Sequence, residues 1–183
     1  MHFTISRETF LKPLQLVSGV VERRQTLPVL SNVLLVLEGD QLSLTGTDLE
    51  VELIGRVTVV DSKQSGAITV PARKLLDICK SLADDSMIEL SMSDSNKLTV
   101  KAGRSRFSLT TLPATEYPSV EEEPDTFSVT LSQSRLKELL DSTSFAMAQQ
   151  DVRYYLNGML FEVSSDYLRV VATDGYRLAM ETM

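Results

Sequence analysis

Val70-Pro71-Ala72-Arg73-Lys74-Leu75-Leu76-Asp77-Ile78-Cys79-Lys80-Ser81-Leu82 sets apolar side chains at 72, 75, 76, 79 and 82. That spacing lines one face of an α-helix. Pro71 stands at the first turn, where its missing N–H costs nothing. Arg73, Lys74 and Lys80 fall off the apolar face, with Asp77 the acid among them. An ordinary solvated helix face accounts for that pattern as well as a binding face does. Cys79 reads as a core residue. Working outward, Ala67–Val70 precedes this helix as a strand, and Met87–Met92, Leu98–Lys101 and Ser105–Leu112 follow it.

The upstream chain repeats the order. Phe3-Thr4-Ile5 alternates, and Ser6 caps a helix to about Ser18 with Phe10, Leu14 and Val17 on one face. Pro13 lies inside that helix and is expected to kink or shorten it. Then come an apolar strand at Asn32–Leu37, a hairpin turn at Glu38-Gly39-Asp40-Gln41, and strands at Leu42–Thr45 and Val51–Val59. The expected fold class is α+β, a domain of two similar halves over 3–60 and 67–112. Each half is expected to hold one helix and its own small antiparallel sheet.

A longer repeat overlies the short one. Ser6-Arg7-Glu8-Thr9-Phe10 matches Ser132-Gln133-Ser134-Arg135-Leu136, and Thr47-Asp48 matches Thr173-Asp174, both at 126 positions. Asn32-Val33-Leu34-Leu35 matches Asn157-Gly158-Met159-Leu160 at 125, so a one-residue indel is expected. Pro113-Ala114-Thr115-Glu116-Tyr117-Pro118 and the acidic Glu121-Glu122-Glu123-Pro124 read as the linker. The domains expected are 1–125 and an incomplete 126–183. Half a domain cannot bury its sheet face unaided, so a piece of a longer chain is expected.

Composition narrows the chemistry. The net charge is −7, and there is one histidine, His2, and one cysteine, Cys79. An internal disulfide is excluded, and metal sites built on His or Cys clusters are out of reach. A catalytic triad would hang on one histidine at the terminus. No secretory signal or long apolar run occurs, and the lone cysteine suits a reducing cytoplasm. No cofactor is expected, since phosphate-loop and dinucleotide glycine fingerprints are missing. The twin Thr-Asp motifs invite an aspartic-protease reading, but the order is not Asp-Thr-Gly. Turns in which Asp48 and Asp174 bond nearby amides are the plainer reading.

Other residues suit nucleic acid despite the acidic total, because what matters is whether cations gather on one face. Arg23-Arg24 sit in a loop. Arg104 and Arg106 are expected to share a strand face, with Phe107 and Leu109 on the other. Gln149-Gln150-Asp151-Val152-Arg153-Tyr154-Tyr155 suits sequence-blind contact with phosphate, sugar and bases. An ordinary loop with one tyrosine packed fits it equally.

Five segments together carry a family resemblance: Leu44–Glu50, Val70–Lys74, Gly103–Leu109, Gln150–Phe161 and Ala172–Gly175. Along the whole chain the sequence resembles the bacterial DNA polymerase III beta subunit, the sliding clamp. The resemblance implies a non-catalytic homodimeric ring of three similar domains per subunit, with helices lining a hole around duplex DNA and sheets outside. Domain 3 would then be missing, and this chain would not close such a ring. By position, Arg24, Arg73, Gln150, Tyr154 and Tyr155 are implied to contact DNA. Lys74, Ile78, Arg104, Arg106, Phe107 and Leu109 are implied to form one side of the subunit interface. Arg153, Leu156, Thr173, Gly175, Tyr176, Arg177 and Leu178 are implied to form part of a groove. It would take short linear motifs of the polymerase catalytic subunit, the clamp loader and repair proteins. Tyr176 and Gln149 stand where the family commonly has histidine. The rival readings are a stand-alone interaction module and a hydrolase using the twin aspartates.

Overall fold

Ser6 starts the first helix as read: its Oγ accepts from the Thr9 amide at 3.2 Å. In this computed structural model, which describes residues 1–21, 27–93, 96–118 and 128–183, β1 (His2–Ser6) leads into α1 (Arg7–Ser18). The chain continues through β2 (Asn32–Glu38), β3 (Gln41–Thr47), β4 (Glu52–Thr58), β5 (Asp61–Gln64) and β6 (Gly66–Pro71). Next come α2 (Ala72–Ser81), β7 (Met87–Ser93), β8 (Lys97–Ala102), β9 (Ser105–Thr110) and β10 (Leu112–Pro113). The expected helix at 72–82 is present, with Ala72, Leu75 and Cys79 fully buried.

Pro13 does not end α1, which runs through it to Ser18. Glycines on the opposing strands leave room for the helix at this point. A Cβ on Gly55 of β4 would lie 2.6 Å from Pro13 Cβ, and one on Gly46 of β3 would lie 2.3 Å from the Val17 carbonyl oxygen. Both strands thus admit the helix backbone and the proline ring.

Sheet topology corrects the expectation that each half owns its sheet. One sheet runs β5-β1-β7-β8-β9 and the other β10-β6-β2-β3-β4, all pairs antiparallel. The leading strand of each half therefore crosses into the sheet of the other. The exchange is in matching register: Phe3 opposes Leu90 and Ile5 opposes Ile88, as Ile68 opposes Leu35 and Val70 opposes Val33. These residues, with Phe10 and Leu14 of α1, form a single core. Arg7 locks the helices. Its Nε donates to the Cys79 carbonyl at 2.8 Å and its Nη1 to Asp84 at 2.6 Å, so the start of α1 caps the end of α2.

The chain divides into compact units Met1–Glu122 and Glu123–Met183. Pro113–Pro118, expected as linker, belongs to the first. Leu112 and Pro113 pair with β6, and Tyr117 is 6% exposed, its hydroxyl donating to the Thr45 carbonyl at 3.1 Å. An aromatic ring with a satisfied hydroxyl is worth burying, and this one closes the segment onto β3. The acidic run 121–124 lies outside the described residues.

The second unit holds α3 (Gln133–Thr143) and a sheet of β11 (Leu160–Val163), β12 (Leu168–Thr173) and β13 (Leu178–Thr182). Ser132 caps α3 as Ser6 caps α1. Strand pairing corrects the expected indel: Val171 opposes Leu160 as Thr45 opposes Leu34, so a constant 126 positions relates the units from cap to β12. Asn157 then matches Ser31, not Asn32. The core here is small, built on Leu139, Leu168 and Val170.

Candidate nucleic-acid interface and partner groove

α2 carries uncommitted positive charge. With about 100° between successive residues, Arg73 and Lys80 lie on one exposed flank, and Lys74 lies with half-buried Ile78 on the other. Among the described residues, Lys12 of α1 pairs with Glu8, and in α3 Arg135 pairs with Glu138 and Lys137 with Asp141. Arg73, Lys74 and Lys80 form no ion pair among the described residues. Arg24 and its neighbour Arg23 lie outside the described residues.

In the second unit the loop after α3 is braced from within. Asn157 Oδ1 accepts from the Asp151 amide at 2.9 Å, and its Nδ2 donates to the Asp151 carbonyl at 3.0 Å. The Asp151 carboxylate accepts from Arg153 three times, from the amide at 2.8 Å, Nε at 3.0 Å and Nη2 at 2.9 Å. Those bonds hold the Asp151 carboxyl down at about 2. Gln150 takes a left-handed φ of 58°. Tyr154 and Tyr155 are 83% and 68% exposed and meet edge to face, centroids 6.1 Å apart. Neither tyrosine is packed, which removes the reading of an ordinary loop anchored by one of them.

The Thr-Asp motifs are matched turns. Thr173 Oγ1 donates to the Arg177 carbonyl and accepts from Gly175, while Asp174 accepts from the amides of Tyr176 and Arg177. Thr47 and Asp48 make the same bonds across Leu49 to Val51. Backbone amides hold both carboxyls below the usual carboxylate range. Both carboxylates are thus engaged by the amides of their own turns, the plainer reading of the motifs.

Gly175, at φ 91°, lets the Arg153 guanidinium lie 3.5 Å from where a Cβ would stand. Thr173 and Leu178 are directly opposed, sharing a sheet face with Val171, Met180 and Leu160. Leu178, Met180 and Leu160 are exposed, as is Tyr176 at 97%, and Leu156 is half-buried. A neighbouring cavity of about 600 Å³ is lined by Phe145, Met147, Gln150, Asp174, Tyr176 and Arg177, among others. It takes in only Tyr176 and Arg177 from the expected groove. Phe145, beneath the Arg177 guanidinium at 5.9 Å, was missed in the sequence because it follows α3 with no periodic signal.

On the first unit, β9 is a terminal strand of its sheet. Arg104 is not on the strand face with Arg106; it sits with Gly103 in the tight turn joining Ala102 to Ser105. Arg106 is exposed opposite Lys101, and Phe107 is half-buried. Leu109 is 7% exposed and belongs to the core, so the apolar surface at this edge is Phe107's.

Two helices packed together on a pair of strand-exchanged antiparallel sheets, with the pattern begun again in a second unit, define the DNA-clamp class of fold. Residues 1–121 match the family model for the DNA polymerase III beta subunit, N-terminal domain, and 130–183 that for its central domain. The beta sliding clamp of Pseudomonas aeruginosa is 69% identical over 98% of this chain and 49% of its own length. That of Escherichia coli is 51% identical over 100% of this chain and 50% of its own. The crystal structure of the P. aeruginosa DNA polymerase III subunit beta superposes with a TM-score of 0.94 at 67% identity, covering 100% of this chain and 50% of that one. The chain belongs to the DNA polymerase III beta subunit family. It spans about half the length of the relatives it matches.

Proposed function

We propose that this chain contributes the DNA-facing and partner-facing surfaces of a sliding clamp, a non-catalytic homodimeric ring that encircles duplex DNA and tethers the replicative polymerase for processive synthesis in the cytoplasm. The observation that carries the reading is a helix, α2, whose Arg73, Lys74 and Lys80 form no ion pair among the described residues, on a chain of net charge −7. Loose, unspecific phosphate contacts let a ring slide, and topological closure removes any need for tight local binding. Arg73, Gln150, Tyr154 and Tyr155 are the DNA contacts, joined by Arg24 on its sequence. Lys74, Ile78, Arg104, Arg106 and Phe107 serve the subunit interface, with Leu109 supporting Phe107 from the core. Arg153, Leu156, Thr173, Gly175, Tyr176, Arg177 and Leu178 take apolar anchors of linear motifs from polymerase, loader and repair proteins. Among the described residues no helix is long and apolar enough to cross a membrane.

The test is duplex binding by fluorescence anisotropy across a salt series. Arg73→Ala is expected to weaken binding equally for unrelated sequences and to lower the salt slope by about 1. Tyr154→Ala with Tyr155→Ala is expected to weaken it without changing that slope. Binding that ignores all three substitutions refutes the assignment.

A further inference from the structure

The helices differ in how their cations are held. On α1, Lys12 Nζ donates to Glu8 at 3.2 Å, and on α3 the Arg135 guanidinium donates to Glu138. Arg73 and Lys80 of α2 form no ion pair among the described residues, and Asp77, on the same flank, pairs with neither. The two held pairs occupy one stripe of the repeated helix. At the constant 126 positions that relate the units, Glu138 stands where α1 has Lys12, and Arg135 where it has Thr9. On α1 that stripe, Glu8, Thr9 and Lys12, stays exposed even though Arg7 ties the same helix to the end of α2. It is therefore neither the core face nor the seam between helices. Helix stability does not account for the pairing. The Lys12 and Glu8 side chains are 76% and 75% exposed, and exposed pairs contribute little. Glu8 precedes Lys12, the order that favours a helix. Arg135, however, precedes Glu138 and stands in the first turn of α3, where the helix dipole repels a cation. What the two arrangements share is an exposed stripe without net charge.

We infer that Glu8 and Glu138 limit the grip on DNA, each withholding one cation, Lys12 or Arg135, from the phosphates. The inference rests on the reading of these helices as DNA-facing. Under it, α2 supplies the hold, while α1 and α3 let the duplex pass without adding to it. A cation that meets a phosphate releases a counterion, so every freed cation strengthens binding and steepens its dependence on salt. A carboxylate one helical turn away competes for the same cation and opposes both effects. Sliding needs contacts that form and break readily, and acids on the lining helices keep them so.

Duplex binding by the full 183-residue chain, followed by fluorescence anisotropy across a salt series, tests this. Glu8→Gln and Glu138→Gln are each expected to tighten binding about threefold or more at low salt and to steepen the salt slope by about 1. Lys12→Ala added to Glu8→Gln should return the slope to that of the parent chain, because the freed cation is then gone. Asp61→Asn changes the net charge by the same amount but lies on β5 beside Lys63, and should bind as the parent does. A role confined to holding the helix would instead lower stability to urea and leave the slope alone. If Arg73→Ala weakens binding while both glutamine variants keep the parent slope, the inference alone is overturned. Equal gains from Asp61→Asn, or a gain that survives Lys12→Ala, also overturn it. Arg73→Ala and both glutamine variants without effect overturn the DNA-facing reading and the inference together.

Discussion

Leu49 holds a left-handed φ of 80° in the turn where the second unit uses Gly175. A branched side chain there costs about 1–2 kcal/mol, and Leu49 is 60% exposed, so little packing offsets it. Leu49→Gly is expected to raise the melting temperature of the first unit, and a fall would show that Leu49 contributes contacts outweighing its strain. Gly46 behaves oppositely. Its added Cβ would meet the Val17 carbonyl, so Gly46→Ala is expected to cost about 1–3 kcal/mol in urea unfolding. Burial pushes the Cys79 thiol up to about 12. In the native protein at pH 8 it should resist a thiol reagent that labels it at once in urea.

At the scale of elements, the Arg7 guanidinium supplies donors to the last turn of α2, where helix carbonyls have no intrahelical partner. Arg7→Ala is expected to destabilise the first unit by about 1.5–3 kcal/mol, measured by urea unfolding. The loop after α3 depends on Asp151 in the same way. Its folded value, about 2, lies below the ordinary aspartate value of about 3.9. The clasp on Arg153 is therefore complete above pH 4 or so and is lost as the pH falls through about 2. A carboxyl ¹³C titration of Asp151 with its midpoint near 4 would show that Arg153 is not held.

For the whole molecule, the two units should differ in stability. The first encloses a continuous core from Met1 to Leu109, while the second rests on Leu139, Leu168 and Val170. Less apolar area removed from water means less stabilisation, so urea unfolding should show two transitions with the second unit first. Hydrogen exchange should assign the earlier one to β12, and a single cooperative transition would contradict this.

Much of this was legible in the residues alone. Helix periodicity at 72–82, the Ser6 and Ser132 caps and the Thr-Asp turns are local, set by neighbours within a few positions. The repeat and the family resemblance needed only residue order. Which strands pair was not legible. β1 and β6 alternate in either sheet equally well, so their exchange is decided by the shared core that both halves must close. The Pro13 ring finds room against β4 only because Gly55, distant in sequence, faces it. Tyr117 turned an apparent linker into part of a domain because a pocket over β3 exists only after folding. Pattern along the chain determined what each segment is; burial across the chain decided where it goes, because apolar surface can be removed from water only by partners brought together in three dimensions.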